Sequence, residues 1–302
     1  MTKILFALNL ILFFSLNLTA QNCAENARTT APVLSETAQK TYTAKLAEAE
    51  ADFKKAQTAD HFIWLGRRTA YLGNYKEAIK IFTGGIEKFP DDARFYRHRG
   101  HRFITIRCFD DAIKDFERAA KLVKNKKDEI EPDGLPNARN IPTSTLQSNI
   151  FYHLGLAFYL KKDFKNALKA YREAEKVSRN PDMLVATRHW LYMTLRRMNK
   201  TKEAEKSIAR IADNLDIIEN DDYYKLVKLY QGKIKAEELL RTDANSLSSA
   251  SLGYGVGNWF FYNGEKQKAL SVFRQITSGN QWASFGYIAA EAELEKTQNN
   301  FD

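Results

Sequence analysis

A short signature, an alanine followed four residues later by an aromatic ring, recurs along this chain at nearly constant spacing. The four clear copies are Ala78 with Phe82, Ala112 with Phe116, Ala167 with Tyr171 and Ala269 with Phe273. Weaker copies centre on Ala204 and Ala236. The step from Ala78 to Ala112 is roughly 34 residues, whereas the step from Ala112 to Ala167 is longer by more than half. A period of this length predicts a stack of supersecondary units with one insertion.

A small residue also stands twelve positions before each of the four clear alanines: Gly66, Gly100, Gly155 and Gly257. Apolar residues recur at helical spacing in the first copy, and Gly73 with Asn74 supplies a turn between its two halves. With these features, residues 59–283 resemble the tetratricopeptide repeat, a helix-turn-helix unit of about 34 residues. The resemblance implies an all-α fold, a right-handed superhelical solenoid of helix hairpins with a terminal capping helix. It also implies that each glycine allows close helix packing and that Pro90 closes a unit.

This interpretation divides the chain into six segments. They are a signal peptide (1–20), a tail and leading helix (21–58), units one and two (59–126), a proline-rich inserted loop (127–147), units three to six (148–283), and a capping helix with a tail (279–302), whose helix starts at Trp282. Units four and five are degenerate, because Tyr192 and Tyr224 stand where a small residue is expected. We therefore expect irregular packing in these two units.

The N-terminus indicates export. Lys3 precedes an almost wholly apolar stretch, residues 4–16, which is short for a membrane span and typical of a secretory signal. We therefore expect a periplasmic or secreted protein. Cys23 raises the question of a lipid anchor, but Gln21 and Asn22 match a lipoprotein signal poorly. An exported protein can form a disulfide between Cys23 and Cys108. The position of Cys23 in the N-terminal tail nevertheless favours two unpaired cysteines.

The inserted loop contains Pro132, Gly134, Pro136 and Pro142 and cannot be helical throughout. Two placements remain open: the loop lies over the groove of the solenoid, or it is a solvent-exposed connector. Ser144 with Gln147 three residues later matches a capping box and predicts the start of the next helix.

The resemblance places one face of the first helix of each unit on a concave groove. The residues that it assigns to this face are Arg67, Tyr71, Arg94, Arg97, His98, His101, Asn149, Tyr152, His153, Tyr159, His189, Arg196, Arg197, Tyr254, Asn258 and Tyr262. Arginine with tyrosine and histidine suits anions, because guanidinium groups grip carboxylates and rings stack or donate hydrogen bonds. The family's Lys-and-Asn carboxylate clamp is not matched. The alternative is a solvated basic surface.

We therefore expect a protein or peptide partner, acidic in character, and neither a cofactor nor a nucleic acid. Residues 94–107 hold five arginines and no acid, but an exported protein rarely meets nucleic acid. A metal site of His98, His101 and His153 lacks an evident fourth ligand. A small-ligand protein or an enzyme using the Arg, His and Tyr groove is the remaining alternative, although no nucleophile motif or paired carboxylates support catalysis.

Overall fold

A computed structural model describes residues 23–240 and 244–298. The signal peptide expected at 1–20 lies outside these residues. Within the described ranges the regular structure is helical, with a single isolated β-bridge between Ile130 and Thr145. In the same ranges, no helix combines the length and apolar character needed to cross a membrane.

Helix α1 (Glu36–Lys55) leads into a series of helix hairpins. The hairpins are α2 (Ala59–Tyr71) with α3 (Tyr75–Lys88), α4 (Ala93–Thr105) with α5 (Phe109–Val123), α6 (Leu146–Leu160) with α7 (Phe164–Val177), α8 (Pro181–Arg197) with α9 (Thr201–Ile208), α10 (Asp221–Tyr230) with α11 (Ala236–Leu239), and α12 (Leu247–Tyr262) with α13 (Lys266–Thr277). Helix α14 (Phe285–Gln298) follows the last hairpin. Consecutive helices pack on one another throughout the described chain, which confirms the all-α solenoid of hairpins.

The glycines of the signature explain why the hairpins close. A side chain added at Gly66 would approach the Phe82 ring to 2.5 Å, and one added at Gly100 would approach the Phe116 ring to 3.0 Å. The same contact joins Gly155 to Tyr171 and Gly257 to Phe273. Each of these four units therefore packs the aromatic ring of its second helix directly against the glycine backbone of its first helix.

The fourth and fifth units differ from this arrangement. Their second helices are short, with 8 residues in α9 and 4 in α11. Tyr192, at the position of the small residue, is buried and stacks on Tyr230 with ring centroids 4.3 Å apart. The large side chain at this position thus packs on the first helix of the following unit.

Two local boundaries differ from the expectation. Helix α6 starts one residue later than the predicted capping box, because Thr145 rather than Ser144 caps it and Ser148 completes the box. Ser144 instead accepts a hydrogen bond from the Asn149 side chain at 2.9 Å. The final helix begins at Phe285 and not at Trp282, since residues 281–284 form a turn closed by the Ser284 N–H donating to the Gln281 carbonyl.

The expectation of unpaired cysteines was wrong, because Cys23 and Cys108 form a disulfide. Cys108 lies in the turn between α4 and α5, and residues 23–34 pass alongside the turns of the first two units. Lys76 holds this segment by donating to the Glu25 carbonyl at 2.7 Å, and Ala31 and Pro32 lie against Gly73. Sequence position alone made Cys23 look like part of a free tail, whereas the segment is packed on the solenoid.

Candidate functional site

The face expected to form the groove is covered by two segments of the chain itself. The inserted loop crosses the first helices of units one to three, and the C-terminal helix α14 packs on α12, α13 and α6. Of the two placements left open for the loop, the structure therefore shows the one over the groove.

The first half of the loop is fixed on α2 through its backbone. Arg67 donates to the Pro132 carbonyl at 2.8 Å, and Arg68 donates to the Gly134 carbonyl at 2.7 Å. Gly134 is buried so closely on Tyr71 that an added Cβ would lie 1.7 Å from the phenol oxygen. Any larger residue here would require the Tyr71 side chain or the loop to move.

Glu131 is the centre of the contact between loop and solenoid. Its carboxylate is buried, with Oε2 3.0 Å from Arg97 Nε and 3.0 Å from the Asn149 side-chain nitrogen. His98 Nε2 lies 3.5 Å from the other oxygen. The Arg97 guanidinium contacts His98 Nδ1 at 3.1 Å, which leaves the imidazole proton on Nε2, facing Glu131. Three residues of the predicted groove thus form a carboxylate receptor.

The far half of the loop is anchored to the segment before α10. Arg139 forms a bidentate pair with Asp216 at 2.8 and 3.0 Å, and Asn137 donates to Glu219 at 3.1 Å. The buried Asp182 carboxylate accepts from the backbone N–H groups of residues 218–220 and so holds that segment in place. The loop therefore bridges units that are distant in sequence.

The C-terminal segment covers the opposite part of the face. Glu293 of α14 is buried and pairs with Arg197 at 2.8 Å and with Lys162 at 3.5 Å. Glu291 pairs with Arg107 at 2.6 Å. Trp282 stacks on Tyr75 of the first unit with a centroid distance of 6.0 Å. The C-terminal part of the described chain thus returns to units one to four.

The predicted histidines lie in this covered interior. His101 and His153 are 4.7 Å apart between ring centroids, and Phe285 lies 5.4 Å from each. Burial lowers the pKa of His153 to about 3, and burial together with Arg97 and neighbouring arginines holds the pKa of His98 well below its usual range. Burial also lowers the pKa of His189 to about 3. Such neutral, weakly basic rings are poor general bases near neutral pH.

The aromatic members of the predicted set pack in the core. Tyr159 accepts from Asn258 at 2.8 Å and from the Tyr254 hydroxyl at 3.0 Å, and burial raises its pKa to about 12. Tyr152 is buried beside His153. Arg196 lies at the edge, over the Tyr262 ring at 4.3 Å. Most of these residues are buried in this structure, and partner binding by them stays a prediction.

The arginine-rich stretch is not a free basic surface. Arg94 pairs with Asp60 and Asp92, each at 2.6 Å, and Arg99 pairs with Asp115 at 2.7 Å. Arg97 and Arg107 have the acidic partners described above. The fold therefore supplies a carboxylate to four of the five arginines of this stretch, and Arg102 is the fifth.

The histidine trio considered as an alternative metal site does not form a compact donor group within the described residues. Within the described chain, three potential donors lie within 4.8 Å of one another at Cys23, Cys108 and Asp111, and both sulfur atoms there belong to the disulfide. His98 instead stacks on Phe82 and faces Glu131.

Three residues of the site were missed at the level of sequence. Arg102 lies one helical turn after His98, so the spacing that selected His98 could have found it. Glu131 and Glu293 carry no comparable signal, because one lies in an irregular loop and the other in a helix whose packing partner is remote in sequence.

Comparison of the sequence with known proteins finds a match over part of the chain. No family model matches the chain. A segment of 97 residues is 28% identical to rat DnaJ homolog subfamily C member 3; it makes up 32% of this chain and spans only 18% of that protein.

Two solved structures illustrate the structural similarity. A tetratricopeptide repeat protein from Parabacteroides merdae matches with a TM-score of 0.49 and 12% identity over 83% of this chain and 93% of that one. YrrB, described as a tetratricopeptide protein with an unusual peptide-binding site, matches with a TM-score of 0.44 and 15% identity over 81% of this chain and 97% of that one. Because both scores are below 0.5, the fold assignment rests on the hairpins of this chain. The repeat signature and the helix hairpins give the chain a tetratricopeptide-like solenoid fold.

Proposed function

We propose that this chain is an exported interaction protein that binds an acidic segment of a partner protein on the basic face of units one to three. The observation that carries the proposal is the receptor formed by Arg97, His98 and Asn149 around the Glu131 carboxylate. Charged hydrogen bonds in a site shielded from water are stronger than exposed ones. In this view the loop occupies the site in the absence of a partner, and an acidic partner segment displaces it.

Two features support the export part of the proposal. Residues 1–20 have the composition of a secretory signal. The Cys23–Cys108 disulfide is suited to an oxidising compartment and is unusual in a reducing cytosol. Intact-mass analysis of protein recovered from the cell envelope or medium tests this: the mature chain should start near residue 21 and carry the disulfide. Protein retained at full length in the cytosol would contradict it.

The loop provides its own probe for the binding site. A labelled synthetic peptide of residues 127–141 is titrated by fluorescence anisotropy against the mature chain and its Glu131→Gln variant. We expect tighter binding to the variant, because its own loop no longer brings a charge to Arg97. Replacing the peptide's glutamate at position 131 by glutamine should weaken binding roughly tenfold or more, since a charge-assisted hydrogen bond is lost.

Glu129 provides the matched control, because it lies in the same loop but is exposed. A Glu129→Gln peptide should bind as the unmodified peptide does. If the position-131 and position-129 peptides bind equally, or if no peptide binds either protein at low ionic strength, the receptor proposal fails.

A further inference from the structure

Arg102 differs from the other arginines of α4 and the following turn. Across residues 23–240 and 244–298, no salt bridge involves its guanidinium. The guanidinium carbon lies 5.8 Å from the centroid of the Tyr75 ring. Burial, together with Arg97 and Arg67, lowers the pKa of Arg102 to about 10. An arginine at this pKa still carries its full charge at neutral pH. The fold thus holds a half-buried cation close to two others.

These three arginines line one cavity of about 120 Å³. Arg67, Arg97 and Arg102 contribute to its wall with His98, His101 and Tyr71. Arg67 donates to the neutral Pro132 carbonyl and interacts electrostatically with Asp133, and Glu131 contacts Arg97, so two carboxylates face three guanidinium groups. The cavity is therefore strongly electropositive, and its tyrosine hydroxyl adds a hydrogen-bond donor.

Deprotonation of the histidines cannot reduce the positive charge of the cavity. Burial and the surrounding arginines already hold the pKa of His98 and that of His101 well below the usual range, so both rings are neutral. A charge without a counter-charge is costly where the fold partly removes it from water, and arginine does not neutralise itself as lysine does. A bound anion would balance the charge of this site.

The size of the cavity suits a small anion. A cavity of about 120 Å³ is large enough to admit a small ion. Guanidinium groups present paired N–H donors that match the oxygens of phosphate or sulfate. Three such groups from two neighbouring helices suit an ion with oxygens in several directions better than a planar carboxylate.

We propose that the cavity lined by Arg67, Arg97 and Arg102 binds a small tetrahedral oxyanion of the phosphate or sulfate class. The site lies beneath the loop and is separate from the Glu131 receptor, although Arg97 contributes to both. Oxyanion binding does not require the loop to leave. Peptide binding and anion binding can therefore succeed or fail independently.

The test compares the mature wild-type chain with Arg102→Met in a buffer free of phosphate and sulfate. Calorimetric titration with inorganic phosphate, and separately with sulfate, should show one site per chain in the wild type. Arg102→Met should weaken that binding roughly tenfold or more, because a charged donor is lost. Arg118→Met is the matched control: Arg118 lies on α5 and pairs with the exposed Asp91 at 3.1 Å, outside the cavity.

Thermal unfolding provides a second readout that does not depend on calorimetric heat. Phosphate should raise the Tm of the wild type and of Arg118→Met, since a ligand that binds the folded state stabilises it. It should leave the Tm of Arg102→Met nearly unchanged. Without phosphate, Arg102→Met should be about as stable as the wild type, because the half-buried Arg102 forms no salt bridge within the described residues; circular dichroism checks that the variant is folded.

Three results would overturn the proposal. One is the absence of both heat and a Tm increase with millimolar phosphate or sulfate. Another is equal binding by the wild type and Arg102→Met. The third is binding of acetate as strong as that of phosphate, which would exclude a tetrahedral preference. Failure of the peptide titration leaves these outcomes unaffected, so the two proposals are tested separately.

Discussion

At the scale of single residues, the face selected by helical spacing is an interior in which cations meet acids from elsewhere in the chain. Spacing could predict which arginines, histidines and tyrosines share the face, because that depends only on helical geometry. It could not predict their partners. Glu131 and Glu293 approach from segments whose placement is set by tertiary packing.

Removal of the Glu131 charge should destabilise the fold. Glu131→Gln leaves the buried Arg97 without an acid, and breaking a buried pair from one side costs about 3 kcal/mol or more. Urea denaturation should show this loss in the free energy of unfolding. The double variant Glu131→Gln with Arg97→Met should recover much of it, because no unpaired charge then stays buried.

The exposed pair of Arg118 with Asp91 supplies the comparison for this prediction. Asp91→Asn breaks an ion pair on the surface and should change the free energy of unfolding by less than about 1 kcal/mol. Equal effects at Glu131 and Asp91 would mean that the loop does not bury its carboxylate in solution.

His189 should make stability fall as the solution becomes acidic. Burial lowers its folded pKa to about 3, its Nδ1 lies 3.0 Å from the Tyr230 hydroxyl, and Tyr223 and Tyr230 stack on its ring. The unfolded histidine, with a pKa near 6.5, binds a proton first. This loss of folding stability is therefore absent above about pH 6.5 and grows as the pH falls towards 3.

The measurement is urea denaturation over the range from about pH 7 to about pH 5. His189→Gln should flatten the dependence by up to about 1.4 kcal/mol per pH unit, while the other buried histidines keep part of the slope. Tyr230→Phe removes the hydrogen bond but keeps the imidazole, so it should lower stability without flattening the slope. A slope unchanged by His189→Gln would contradict a buried neutral ring.

At the scale of elements, the helix hairpins were predictable from the sequence, but the path of the inserted loop and the exact start of α6 were not. The Gly66-to-Phe82 contact follows from residue types repeated in every regular unit. The loop has no repeat or helical period, so its path depends on contacts such as Arg67 to the Pro132 carbonyl. The one-residue shift of the α6 cap has a similar origin: Ser144 is engaged by Asn149, and Thr145 takes its place.

Gly134 should control whether the loop stays on the solenoid. Gly134→Ala places a methyl group where the Tyr71 hydroxyl lies and should push the loop away from α2. Hydrogen exchange followed by mass spectrometry should then show faster exchange in residues 130–141. Gly84→Ala is the control, because its nearest new neighbour, the Phe62 ring, is at an ordinary contact distance of 3.5 Å. Equal exchange in the two variants would argue against a docked loop.

At the scale of the whole molecule, two adjacent residues hold both ends of the described chain. Cys108 binds the N-terminal segment through the disulfide to Cys23, and Arg107 binds the C-terminal segment through Glu291 and the Trp282 carbonyl. Arg107 also covers the Trp282 ring at 3.8 Å. The turn between α4 and α5 thus joins three parts of the chain, which no local pattern in the sequence indicates.

Loss of the disulfide should therefore affect the first units more than the last. The bridge closes a loop of 85 residues, and such cross-links typically contribute about 2–5 kcal/mol by restricting the unfolded chain. Cys23→Ser with Cys108→Ser should lower the Tm and increase hydrogen exchange in residues 23–34. Exchange in α13 should change little, because α13 packs on α12 and α14 and not on the N-terminal segment. A reductant should reproduce the effect in the wild type and leave the double variant unchanged; equal sensitivity of both would place the cause outside the disulfide.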